Sequence, residues 1–385
     1  MEEEKAYQLV YFPYLSLGDV TELRYGRLSV WNAGLLSKKL PAGPLRGRVA
    51  ALLESHRAPS GRADKSRPET GIGIVSRGRP DFEPIVPRWI GDVQELRYAL
   101  FLSCLSNGVT RHGPNAAHFV LTAENFSFVT QGISLEREYI SETTGVLVTV
   151  THLGYRIGEV QFPTPTHVPR PLKFDYDQRV FDALRRLRSA DRSLYRRVID
   201  ATSLLLESYH NTHAVDVRAR ILLQPAAFEV LLDLPDKDQR KAFKDLIEQH
   251  SAVRQERRYR YKYETRGGLV PESRTQKGIW ADRFYTLRNH IIHGERVSAS
   301  RYVYRGSQHH VLIAAAFFVH VAKRLIESAL SAVGRPVKFY SRIDWHEPGR
   351  RPDEEDGDDE ERVEGFRASV DHAALFDDRL AAAGY

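Results

Sequence analysis

Only one cysteine, Cys104, occurs among 385 residues. A disulfide framework and a cysteine-rich zinc site are both excluded. Long apolar runs are missing too. None approaches the ~18 residues that a membrane-spanning helix needs. The longest late run, Val311 to Val319, gives way to His320, Lys323 and Arg324 and predicts a buried core helix. The opening Met-Glu-Glu-Glu-Lys is acidic, unlike a secretory signal. These absences point to a reducing cytoplasm and to no membrane partner. No Walker A sequence, zincin motif or nucleophile elbow occurs. Gly71-Ile-Gly73 lacks the third glycine of a dinucleotide loop, and no cofactor is expected.

Hydrophobic residues make up 42 % of the chain, enough to bury real cores, and the length suggests two domains. The formal charge is +6, but residues 353–361 alone carry eight acidic groups, which leaves the rest at +14. A basic body with an acidic segment suggests an anionic partner such as nucleic acid. The segment itself reads as a solvated linker or as an autoinhibitory mimic of nucleic acid.

The patterning predicts an α+β protein. Residues 1–165 read as a β-rich sensing or regulatory region. Strands are expected over Tyr7 to Phe12, Leu23 to Trp31 and Ala117 to Thr122. A hairpin is expected from Val146 to Phe162, turning at Leu153-Gly154. Leu45 to Ser55 predicts a short helix, His56 to Thr70 a mobile basic loop, and Asp92 to Ser106 either strand or helix. Pro163, Pro165, Pro169 and Pro171 then disfavour regular structure and place a linker at 166–175. Beyond it, 176–335 reads as an all-helical bundle. Its helices are expected at Tyr176 to Arg188, Leu194 to Leu206, Val217 to Leu234 (kinked or split at Pro225), Asp238 to Ser251, Gly278 to His293 and Gln308 to Val333. Residues 336–385 read as an acidic tail, with a short helix near Phe376 to Leu380.

The stretch Arg288-Asn289-His290-Ile291-Ile292-His293-Gly294 carries the chemistry. Arginine grips phosphate through a planar fork of donors, and histidine moves protons near neutral pH. Asn289 and His293 are four residues apart and share a helix face, so the amide can orient the imidazole or hold a phosphate. Arg288 lies about 140° around the helix from His293. Its stem must bend back, or it must serve a partner protomer's histidine. A plainer reading stands beside this one. Arg288 suits a helix carboxyl end, His293 can cap carbonyls, and Gly294 terminates the helix. His290 and His293 are an i, i+3 pair, which alone does not make a metal site, and no metal is expected.

An all-helical segment carrying Arg-Asn-x-x-x-His late in its sequence, followed by one more long helix, resembles the HEPN superfamily. The resemblance covers roughly 176–333, and the layout is most similar to the Apea-like group of bacterial antiphage proteins. It implies a metal-independent endoribonuclease acting in defence or abortive infection. It also implies a homodimer whose motif helices form one cleft, with Arg288, Asn289 and His293 catalytic. The alternative is a non-catalytic RNA-binding or dimerisation module of the same fold.

Around the motif, Arg257, Arg258, Arg260 and Lys262 alternate with Tyr259, Tyr261 and Tyr263 just before the motif helix. Arg254, Arg266, Arg274 and Lys277 extend the basic stretch. Such a segment can track a phosphate backbone and stack bases, or be a solvated strand pair. Glu229, alone in an apolar helix, either pairs with an arginine near the motif or sits at an exposed helix edge. His290 is expected to face solvent or the cleft. His309 and His310 are expected to open the last helix in solvent.

Overall fold

The computed structural model describes residues 6–17, 19–58, 67–68, 72–77, 87–135, 139–144, 151–156, 162–163, 172–173, 175–210, 216–251, 257–265, 268–305 and 308–339. The chain opens with β1 (Ala6–Ser16), β2 (Glu22–Tyr25) and β3 (Leu28–Asn32), then α1 (Leu36–Lys39) and α2 (Pro44–Ser55). Next come β4 (His56–Ala58), β5 (Arg67–Pro68), β6 (Ile72–Arg77) and the long α3 (Pro87–Val120). Five strands follow: β7 (Val129–Ser134), β8 (Tyr139–Thr144), β9 (Thr151–Arg156), β10 (Phe162–Pro163) and β11 (Leu172–Lys173). The remainder is α4 (Gln178–Ala190), α5 (Arg192–Glu207), α6 (Val217–Leu232), α7 (Gln239–His250), β12 (Arg258–Thr265), β13 (Gly268–Thr275), α8 (Gln276–Ile292), β14 (Val303–Arg305), β15 (Gln308–His309) and α9 (His310–Ala332). The class is α+β.

The main sheet runs β2-β3-β6-β1-β7-β8-β9, with β11 pairing parallel to the end of β1. Alternation along β1 sends its side chains to two different cores. Leu9 and Tyr11 meet Trp31, Ile74 and the α2 residues Val49 and Leu52 on one face. Val10 and Phe12 face the other, where Phe12 meets Phe128 in a core that also holds Leu100 and Leu105 of α3. That core continues from α3 through α4 to α9. Because α3 is covered by sheet and helices together, it is apolar around most of its girth between Ala99 and Leu105.

Several expectations need correction. Of the two forms open to Asp92 to Ser106 the structure takes the helix, as the middle of α3; Ala117 to Val120, expected as a strand, is the last turn of that helix. Leu23 to Trp31 folds into the β2–β3 hairpin because Gly26, at φ +60°, makes the two-residue turn. Leu153-Gly154 lies within β9, which pairs with β8, so the hairpin joins 139–144 to 151–156. In the stretch His56 to Thr70, residues 56–58 and 67–68 are paired strands, and 59–66 lie outside the described residues. The segment 176–335 carries the β12–β13 hairpin as well as helices. Helix α6 is continuous through Pro225, whose ring is buried against the neighbouring helices. Within the linker expected at 166–175, Leu172–Lys173 is instead strand β11, paired with the end of β1; residues 166–171 and 174, and the tail from 340 onward, including Phe376 to Leu380, lie outside the described residues. In α5 the expected stripe of Leu194, Tyr195, Val198, Ile199, Ala201, Leu205 and Leu206 is buried as its spacing requires.

Candidate active site at the end of α8

Helix α8 starts at a constrained junction. Thr275 caps it, accepting from the Gly278 N–H at 3.2 Å. Glu248 of α7 accepts from the Thr275 N–H and hydroxyl at 2.7 and 2.8 Å. A Cβ on Gly278 would meet Glu248 Oε1 at 2.5 Å, so glycine lets the carboxylate come this close. Burial pushes the Glu248 carboxyl up, but bonds from Arg274 and Thr275 outweigh it and hold it below the usual range.

The other end closes in a Schellman turn. Glu295 N–H donates to His290 O at 2.9 Å and Gly294 N–H to Ile291 O at 3.0 Å. Gly294 sits at φ +73°, as its expected role as terminator requires. His293 is the C-cap, and its N–H donates to Asn289 O at 3.0 Å. Its ring is exposed.

One turn back, Arg288 is largely buried and tightly held. Its Nη2 lies 3.0 Å from Glu229 Oε1 of α6. Its Nη1 donates to Asn289 Oδ1 at 3.1 Å. The guanidinium also lies over the Tyr285 ring, 5.1 Å from the centroid. Tyr285 donates its hydroxyl to Glu229 Oε1 at 2.6 Å, and that hydroxyl lies 2.8 Å from Gln239 Oε1. Burial first, then the Glu229 carboxylate, raises the Tyr285 phenol.

The structure therefore brings Arg288, Asn289 and Glu229 together. The Asn289 amide turns to Arg288 rather than to an imidazole. His290 bonds Glu295 through Nδ1, just past the turn. The pattern in the sequence did not single out Tyr285, Gln239 or Glu295. The i, i+3 spacing of Tyr285 and Arg288 was the available signal for the first; Gln239 comes from a separate helix.

The basic stretch is the β12–β13 hairpin. Arg257, Arg258, Arg260 and Lys262 are exposed, whereas Tyr259, Tyr261 and Tyr263 turn inward. Tyr259 and Tyr261 pack on the core, and Tyr263 lies under Lys244 at 4.3 Å. The expected interleaved stacking surface is thus divided, with cations outward and rings inward. Arg274 and Lys277 are also inside, correcting their reading as part of an exposed basic stretch. Arg274 pairs with Asp245, Glu248 and Glu272. Arg240 grips Asp282 with two 2.8 Å bonds, and Lys244 lies 2.8 Å from Glu272 and 3.3 Å from Asp282. Burial opposes ionisation of Glu272, yet Arg274 and Lys244 hold it at about 2. Arg254 and Arg266 lie outside the described residues.

The hairpin runs along α8. Its root reaches Thr275, Glu272 lies by Lys244 and Asp282, and Tyr263 lies by Arg240. Arg240 adjoins Gln239, which touches Tyr285. The cationic row thus advances from Arg258 toward the motif end of α8.

His309 is exposed, but His310 is buried and stacks on Phe284 at 5.6 Å. The solvated reading of His310 is wrong because the first turn of α9 inserts between Tyr304 and α8. Among the described residues, no group of three His, Cys, Asp or Glu is placed to hold a metal ion. No described helix is long and apolar enough to cross a membrane.

No family model matches the chain, and no curated protein or solved structure matches it either.

Proposed function

We propose that this chain is a metal-independent endoribonuclease of HEPN type, working as a cytoplasmic homodimer in defence or abortive infection. The observation that carries this reading is the pairing of a pre-positioned cation with an exposed imidazole at one helix end. Arg288 is held by Glu229 and Asn289, and His293 is exposed at the C-cap of the same helix.

In the proposed reaction the RNA 2′-oxygen attacks phosphorus, and the bond to the leaving 5′-oxygen breaks. His293 takes the 2′-hydroxyl proton, and the partner protomer's histidine protonates the leaving oxygen. Arg288 stabilises charge on the phosphorane-like transition state. The products are a 2′,3′-cyclic phosphate and a 5′-hydroxyl. Ile292, 51 % exposed beside His293, supports association through this end of the helix. Arg258, Arg260 and Lys262 would guide the RNA backbone along the hairpin. The β-rich first region would restrain the site until a trigger binds.

A non-catalytic RNA-binding or dimerisation module is the second reading. The Arg288–Glu229 pair favours it, because a neutralised arginine also serves a purely structural role.

Cleavage of end-labelled RNA in EDTA, wild type beside His293→Ala, tests the proposal. Cyclic phosphate ends from the wild type alone are expected. RNA binding without cleavage under every candidate trigger would favour the second reading.

A further inference from the structure

The outward face of the β12–β13 hairpin is a row of one charge sign. Arg258, Arg260 and Lys262 alternate along β12, so they stand on one face at roughly 7 Å intervals. Their cross-strand neighbours are Thr275, Ser273 and Pro271, none of them acidic. Arg258 donates to Ser273 O at 2.7 Å and stays 3.9 Å from Glu248. Among the described residues Arg260 and Lys262 have no carboxylate partner. Some other exposed arginines are paired with carboxylates, as in Arg185–Asp182 and Arg324–Glu327. A row of like-charged cations, of which, among the described residues, Arg258 alone has a carboxylate within 4 Å, repels itself, and a polyanion laid along it relieves that repulsion.

The same chain holds a complementary segment. Residues 353–361 carry eight acidic groups with one glycine among them. The described chain ends at Phe339, whose N–H donates to Glu327 Oε1 at 2.9 Å and whose ring centre is 5.9 Å from Lys323 Nζ. His320, one turn before Lys323 on α9, bonds His250 O at 3.0 Å. Glu248, two residues before His250, holds the hairpin root through Arg274 and Thr275. Phe339 is therefore anchored on the part of α9 that adjoins the hairpin root. The connection from Phe339 to Asp353 reaches up to ~45 Å when extended.

We propose that residues 353–361 occupy the outward face of the β12–β13 hairpin in cis, against Arg258, Arg260 and Lys262. Each solvent-exposed ion pair contributes little. The tether, however, supplies an effective concentration in the millimolar range, so a weak contact suffices. The contact stands whether or not the chain cleaves RNA. Only its consequence, displacement of the segment by RNA, rests on the proposed function.

Two measurements on the full chain test this, and neither reads cleavage. Carbodiimide joins lysine amines to carboxylates in direct contact. The expected product links Lys262 to a residue of 353–361 within one monomer, and it disappears in about 1 M salt, where screening acts within ~3 Å. The second measurement is the affinity of a fluorescent peptide with the sequence of residues 350–363. Changing the eight acidic residues of the chain to amides is expected to tighten peptide binding by at least roughly tenfold, because the tethered competitor is lost. Adding Arg258→Glu, Arg260→Glu and Lys262→Glu to that chain abolishes binding. Reversing Arg186, Arg192 and Arg196, exposed on α4 and α5, leaves it unchanged. Circular dichroism checks that each variant is folded. Cross-links only to other lysines, a cross-linked dimer, or peptide affinity indifferent to the amide changes would overturn the proposal.

Discussion

Glu229 Oε1 receives Arg288 Nη2 at 3.0 Å and the Tyr285 hydroxyl at 2.6 Å. One carboxylate oxygen on α6 thereby orients two side chains one turn apart on α8. The cation of the motif is positioned by a helix more than fifty residues upstream.

Replacing Glu229 with Gln removes the charge from this contact and keeps its shape. The expected stability cost is about 1.5–3 kcal/mol, the range for a hydrogen bond to a charged group. If Arg288 stabilises the transition state, RNA cleavage falls by roughly 10²-fold or more. Tyr285→Phe should cost about 1 kcal/mol. A double-mutant cycle of the two in thermal melts is expected to show coupling, since they share one oxygen. Strict additivity would mean that the shared contact carries no energy.

His293→Ala is expected to leave stability within about 0.5 kcal/mol of wild type, because the ring is exposed. Gly294→Ala should instead cost about 1 kcal/mol or more, because φ +73° suits glycine. Side-by-side melting curves separate a chemical role at one position from a conformational one at the next. A large drop in Tm for His293→Ala would identify that residue as a structural cap.

The ion-pair network under the hairpin is expected to be indispensable to the fold. Asp282 and Lys244 are each 3 % exposed. Asp282→Ala leaves Lys244 and Arg240 short of a buried partner, which typically costs about 3–5 kcal/mol. Raising the salt should not reproduce this loss, since buried pairs are little screened. A surface pair such as Arg324–Glu327 supplies the comparison, with an expected effect below about 1 kcal/mol.

Stability should decline on both sides of neutrality. Burial lowers His56 to about 4, His310 to about 3 and His320 to about 4. Below about pH 6.5 the unfolded chain binds protons at these positions that the folded chain refuses, so stability falls with pH toward those values. His210 is opposite. Bonds to Glu124, then Glu207, raise it to about 9 against the cost of burial. Its contribution is full below about pH 6.5 and is lost as pH rises through 9. In His210→Asn the alkaline decline should flatten while the acid decline persists. Denaturant titrations between pH 5 and 9 read both limbs.

Much of the helical half follows from local rules. The stripe along α5 needs only 3.6-residue periodicity. Gly294 ends α8 because the turn requires a positive φ, and the Arg-Asn-x-x-x-His stretch marks itself by residue type. The alternation of β12 was also legible, though not which set faced inward. That choice required Lys244, Arg240 and the core beneath the hairpin, which take the tyrosines and leave the arginines in water.

The rest was decided by tertiary structure. Ala117 to Val120 has a strand's composition and yet is the last turn of α3. Glu229 had two local readings, an exposed edge or a partner for arginine, and only the packing of α6 on α8 selects the second. Residue type and spacing alone mark the candidate side chains and the point where one helix must stop. Which of them touch depends on contacts between elements distant in the chain, and no local pattern encodes those.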